Sequence, residues 1–342
     1  MDAPRRALPA STWADWDDEK LLDLRLCDLD LRIEGTDLED RIGELNRELE
    51  ARKLSFRPYF WLSDEWFCPD GVPGIAIPFY LAHPRLARLE NSQMLEVEGG
   101  TREWCMRILR HEAGHAIENA YQLRGRPRRR ELFGNTAVPY PDSYSPRPHS
   151  RSYVMHLDGW YAQSHPDEDF AETFAVWLTP GSEWATRYAG WPALRKLEYV
   201  DKMMAGLNGA APRVKTHRMR DALPTLRRTL RRHYERRRKH YGVVHRDAYD
   251  RSLRRIFGSE TDGPSAASFL SRLRRGLRRR VQRWTGEYQS PIDQVLEDLI
   301  TRCRELDLRL TGSEAEAEVE VTALLTAQTM ARLHTTRHRV PL

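Results

Sequence analysis

The 342-residue chain carries 55 Lys and Arg against 50 Asp and Glu, and its 40% hydrophobic and 31% charged content is that of a globular protein of one or two domains, not a disordered one. The longest strongly apolar run, Gly74 to Ala82, is too short to span a bilayer, and the opening Met-Asp-Ala-Pro-Arg-Arg leads into no apolar signal core. Four scattered cysteines (Cys27, Cys68, Cys105, Cys303) without a CxxC pair argue against a disulfide scaffold or zinc ribbon and lead to a cytoplasmic expectation.

Residues 1–35 form a polar lead followed by leucines whose pattern fits helix or strand. Thr36-Asp37-Leu38-Glu39 reads as a capping box, and Leu38, Ile42, Leu45 and Leu49 follow at helical spacing, so a helix is expected over 37–53. Phe56 to Leu62 reads as a strand and Gly74 to Tyr80 as another, each placed at a sheet edge by Pro58 and Pro78. Turn residues Asp70 to Gly74 separate them, and Pro84 starts a short helical piece. After the Glu98-Gly99-Gly100 break, Thr101 to Gln122 is free of proline, with Trp104, Ile108, Leu109, Ile117, Ala120 and Tyr121 at three- and four-residue steps.

That helix contains His111-Glu112-Ala113-Gly114-His115, an HExxH motif. A separation of four places both histidines on one helix face, where two neutral imidazoles can bind one Zn²⁺ and Glu112 can reach a bound water. A basic connector, Arg124 to Arg130, and a Tyr/Pro-rich loop, Val138 to Ser150, come next. The loop reads as a substrate rim or as irregular cover. Ser164 to Ala175 then looks like a helix start, with Ser164 or His165 at the cap, Pro166 in the first turn and acidic residues at the positive end. Glu168 and Glu172 are four apart. A zinc peptidase needs a third protein ligand, and a ligating imidazole needs an acceptor for its free N–H. Glu168 as ligand and Glu172 as orienter meet both needs, and the reverse assignment stays open. Tyr161, seven residues before Glu168, can donate to a developing oxyanion. His156 and His165 read as capping or hydrogen-bonded residues, and Cys105 as a small core residue.

His111-Glu112-x-x-His115 followed by Tyr161, His165-Pro166-x-Glu168-Asp169-x-Ala171-Glu172 resembles the zinc-binding metallopeptidases of bacteria, zincins with a glutamate third ligand. The spacing from Tyr161 through Glu168 to Glu172 is also similar to the catalytic domain of anthrax lethal factor. The resemblance covers roughly residues 30–200. It implies one zinc per chain on His111, His115 and Glu168, Glu112 as general base and Tyr161 as electrophilic helper. It also implies an edge strand near Gly74 to Tyr80 that pairs with an extended substrate. Asp167 and Phe170 stand where the family often has tryptophans, and the paired N-terminal cysteines of some relatives are missing. The fold class expected is α+β. A zincin-like domain over 36–212, with a small mixed sheet, an edge strand, the HExxH helix and the glutamate helix, follows the 1–35 lead.

Residues 213–342 form the expected basic, mainly α-helical region. Arg213 to Arg283 holds 23 Lys and Arg against 6 Asp and Glu, a net of +17 in a chain of net +5. Leu226, Leu230 and Tyr234 mark one basic helix and Leu273, Leu277, Val281 and Trp284 another, with further helices near 291–310 and 313–334. The expected activity is zinc-dependent hydrolysis of a peptide or related amide bond. The alternative is a non-catalytic binding protein with a structural zinc, whose basic region takes nucleic acid or an acidic partner.

Overall fold

The computed structural model describes residues 8–94, 96–141, 143–144, 147, 150–240, 249–259, 262–335 and 340–341. Pro146 and Pro148 of the Tyr/Pro loop, residues 241–248 and 260–261 of the basic segment and residues 1–7 of the lead lie outside the described residues. The chain divides into two compact units, one of Met1–Gln93 and Val97–Glu235 with Leu342, the other of Met94–Glu96 and Arg236–Pro341. Helices with small two-stranded sheets make an α+β arrangement.

In the first unit, helix α1 (Asp37–Ala51) starts where Thr36 Oγ1 accepts the Leu38 N–H at 3.2 Å. Glu39 reaches back to the Gly35 N–H at 2.7 Å, one residue earlier than a capping box uses, because the Thr36 N–H is already bonded to Ile33 O. Strands β1 (Tyr59–Ser63) and β2 (Gly74–Pro78) pair in parallel, with Tyr59 opposite Gly74. The Tyr59 ring lies on that glycine, where an added Cβ would come within 2.6 Å of it, so a side chain there would have to displace the ring.

The expectation that β2 is an edge open to a substrate strand is not met. All five of its residues are buried, and the Ala76 N–H donates to Phe67 O at 2.9 Å in an antiparallel bridge. The backbone donor that β-augmentation requires at this position is therefore used within the chain.

Residues past 212 return along β1. Tyr59 Oη donates to Arg218 O and Trp61 Nε1 to Arg220 O, both at 2.9 Å, and Ser63 Oγ to Asp221 O at 2.8 Å. The lead is tied in the same way, with Leu26 N–H on Arg228 O at 3.0 Å and Leu230 N–H on Leu24 O at 2.8 Å. These bonds between distant segments place the compact-unit boundary at 235, whereas the composition changes at 212. Helices α2 (Pro84–Met94), α3 (Arg102–Tyr121), α4 (Pro127–Phe133), α5 (Pro166–Leu178) and α6 (Leu194–Ala205) complete the frame. Most of the expected basic connector is thus α4: Pro127 suits its first turn, and Arg129 and Phe133 are buried. Helix α7 (Leu230–His240), within which the first unit ends, starts after Leu226, whose N–H bonds Leu223 O in a preceding turn.

The second unit is a helical bundle of α8 (Asp250–Ile256), α9 (Ala266–Thr285), α10 (Gln289–Glu305) and α11 (Glu314–Thr335). It also holds an antiparallel pair, β3 (Phe257–Gly258) with β4 (Arg309–Leu310). Leu253, Leu270, Leu277, Val295, Leu299 and Val321 lie in its core. Trp284, expected on the apolar face of α9, is 79% exposed, since it sits in the last turn before the left-handed Gly286. Some of the unit's arginines are matched locally: Arg272 pairs with Glu314, Arg274 with Asp293 and Glu297, Arg280 with Glu318 and Arg302 with Asp250. Among the described residues no helix is long and apolar enough to cross a membrane.

Candidate metal centre

Helix α3 is capped by Thr101, whose hydroxyl accepts the Trp104 N–H, and it presents His111 and His115 on one buried face. Helix α5 is capped by His165, whose Nδ1 accepts the Asp167 N–H at 3.1 Å, and its first turn carries Asp167, Glu168 and Asp169, all buried. The two helices touch at Gly114. A Cβ on that residue would lie 2.8 Å from Ala171 Cα and 3.1 Å from Ala171 O, so the missing side chain sets how closely the helices approach.

This approach brings together side chains 53 to 61 residues apart. Glu168 Oε2 lies 2.9 Å from His111 Nε2 and 3.1 Å from His115 Nε2, and the two Nε2 atoms are 3.2 Å apart. On the other side of the ring, His111 Nδ1 is 2.8 Å from Glu172 Oε1, while Glu172 Oε2 accepts the Leu157 N–H at 2.8 Å. A carboxylate only accepts, so Glu172 would keep the proton on Nδ1 of His111 in the neutral ring that a metal requires, with the lone pair on Nε2. Three electron-pair donors then converge on one point. A tetrahedral ion with bonds of about 2.0–2.1 Å spaces its ligand atoms by about 3.3 Å, close to the distances found, so the donor set fits zinc. Glu112 Oε2, next to this point in sequence, is buried without a hydrogen-bond partner.

The electrostatics of the cluster follow from the same geometry. Burial works to lower the His111 pKa, but Glu168 and Glu172 outweigh it and hold the imidazole well above its usual value. Burial would raise Glu168, yet His115 and His111 keep it well below the usual carboxylate range. Burial pushes Glu112 up, partly countered by His111 and His115, so its carboxylate is a stronger base than an exposed one.

Tyr161 sits on the turn Asp158–Gln163, its ring centroid 5.5 Å from that of His111. The turn enters through two left-handed residues, Gly159 (φ 73°) and Trp160 (φ 56°), and Tyr144 Oη holds Gly159 O at 2.7 Å. His156 is outside the cluster. Its Nε2 lies 2.9 Å from Arg107 O, and burial lowers its pKa to about 4. Cys105 is fully buried in the core.

Two groups of residues at the site escaped the sequence reading. Tyr140, in the Tyr/Pro loop, donates from Oη to Glu168 Oε1 at 2.8 Å. The other group brackets the ligand helix. Fully buried Arg129 bonds Glu118 Oε1 and Asp167 Oδ1, each at 2.8 Å, and Lys196 Nζ lies 2.6 Å from Asp169 Oδ2. Both neighbours of Glu168 are therefore anchored by cations. A run of arginines gives no hint that one of them turns inward. Asn119, in contrast, had a signal: it stands four residues after His115, and its side-chain amide fixes the turn beside it by donating to Pro69 O and Val72 O at 3.0 Å.

Gly114→Ala is expected to lower the thermal stability of the protein. Overpacking against backbone costs about 1–3 kcal/mol, offset by about 1 kcal/mol of helix propensity. Metal uptake should fall with it, since the strain is relieved by moving α5 and Glu168 away from the histidines. Melting curves and metal titration check this, and wild-type values in both would refute the close-approach argument.

No curated protein and no solved structure gives a significant match to the chain. Residues 105–189, which span nearly all of α3 and the whole of α5, match the family model described as "Putative zinc-binding metallo-peptidase", the family that the motifs resemble.

Proposed function

We propose that the chain is a zinc-dependent metallopeptidase of zincin-like fold that hydrolyses a peptide or related amide bond. The observation that carries this reading is the convergence of His111 Nε2, His115 Nε2 and Glu168 Oε2, supported by the family match over 105–189. Zinc held by these three residues supplies Lewis acidity toward water and a substrate carbonyl. Glu172 fixes the tautomer and orientation of His111. Glu112, buried and with one oxygen unengaged, takes the proton of the attacking water and delivers it to the leaving amine. Tyr161 donates its phenol hydrogen to the oxyanion that forms. Among the described residues three protein donors converge, and they would hold a catalytic zinc, since a structural site uses four protein ligands.

The binding alternative rests on the net charge of Arg213 to Arg283. It is weakened by the local pairing of Arg272, Arg274 and Arg280, and among the described residues no specific arrangement favours it.

Protein purified without a metal-affinity tag should contain about one zinc per chain by elemental analysis, as one such ligand set implies. Glu168→Ala should abolish retention, whereas Glu172→Ala should weaken affinity about 10–100-fold. Wild-type protein that stays metal-free after reconstitution would exclude the reading. Loss in Glu172→Ala but not in Glu168→Ala would exchange the two roles.

A further inference from the structure

Glu168 uses its two oxygens for different tasks. Oε2 faces both histidines, and Oε1 accepts the Tyr140 hydroxyl at 2.8 Å. The phenol is itself held in place. Its ring stacks on His165 with centroids 3.8 Å apart and planes 17° from parallel. His165 is locked in turn, since its Nδ1 accepts the Asp167 N–H and its Nε2 is 2.8 Å from Val138 O, which it meets as a donor. The residue that caps α5 thus also clamps the loop that carries Tyr140.

We infer that Tyr140 is a positioning residue that restricts Glu168 to one-oxygen coordination, an inference that rests on the zinc reading above. A carboxylate binds a metal through one oxygen or through both, and with both oxygens Glu168 would add a ligand atom to those that a catalytic zinc site uses. A hydrogen bond to Oε1 engages a lone pair that bidentate binding would use and holds the carboxylate with Oε2 toward the histidines. Such outer partners tune affinity as well as geometry. The ring, 47% exposed, is otherwise an unremarkable loop residue, and a hydroxyl aimed at a buried carboxylate is what sets it apart.

Tyr140→Phe keeps the ring for the His165 stack and removes only the hydroxyl. Zinc affinity, measured by competition with a chelator, should fall about 10-fold or more, within the range usual for an outer-sphere partner. The melting temperature of the metal-free protein should not change. In the cobalt-substituted protein the visible bands should weaken and shift, because a second carboxylate oxygen raises the coordination number and tetrahedral Co²⁺ absorbs most strongly. Wild-type affinity and spectrum in Tyr140→Phe would overturn the inference and leave the zinc reading intact. A wild type that binds neither zinc nor cobalt would overturn both.

Discussion

Arg129→Met is expected to destabilise the first unit by about 3–5 kcal/mol, because removing one member of a buried ion network leaves its partners charged and unpaired. Arg129 is fully buried, bonds Glu118 and Asp167 at 2.8 Å each, and lies with Phe133 and Phe170 about its guanidinium at 5.6 and 5.5 Å. Methionine replaces the stem but not the charge. Arg124, bonded to Glu118 at 3.0 Å and near Asp167 at 3.3 Å, screens part of the loss, so the lower end of the range is expected.

The effect should depend on pH in a definite sense. Burial already raises the Glu118 pKa, opposed chiefly by Arg129. Without the arginine it rises further, so the folded variant binds protons that the unfolded chain has released. A carboxylate with a raised folded pKa is tolerated below its unfolded value and costs stability as pH rises above it. The deficit of Arg129→Met should therefore be largest at neutral pH and shrink towards the unfolded glutamate pKa, and adding Glu118→Gln should recover part of it. Urea unfolding of both variants at neutral and mildly acidic pH measures this. A deficit that is the same at both would refute the buried-pair account.

The second large effect concerns chemistry. Glu112→Gln keeps the shape of the side chain but removes the carboxylate proposed as the base, and kcat/KM on a peptide cleaved by the wild type should fall about 10²–10⁴-fold. That corresponds to about 2.7–5.5 kcal/mol of transition-state stabilisation. Zinc content should not change, because the converging donors are His111, His115 and Glu168 and do not include Glu112. This separation of metal content from turnover distinguishes a general base from a ligand. A variant with full activity would eliminate Glu112 from the mechanism, and one that loses its zinc would make it part of the metal site.

What the sequence determined by itself lies within a turn or two of chain. The four-residue step between His111 and His115 puts them on one face whatever surrounds the helix, and Thr36, Thr101 and Pro166 mark helix starts through bonds to residues two or three away. Glu168 and Glu172 were recognisable for the same reason, as neighbours on a helix whose first turn is acidic. The tertiary structure decided which carboxylate meets which nitrogen, because that depends on how closely α3 and α5 approach, and Gly114 against Ala171 sets the approach. It also decided that β2 spends its Ala76 N–H on Phe67, that residues 217–221 return to β1, and that Arg129 turns inward while neighbouring arginines stay at the surface. Tyr140 belongs with these. Periodicity and capping are short-range and leave a trace in spacing, whereas a hydroxyl 28 residues from the carboxylate it holds leaves none, because only packing brings the two together.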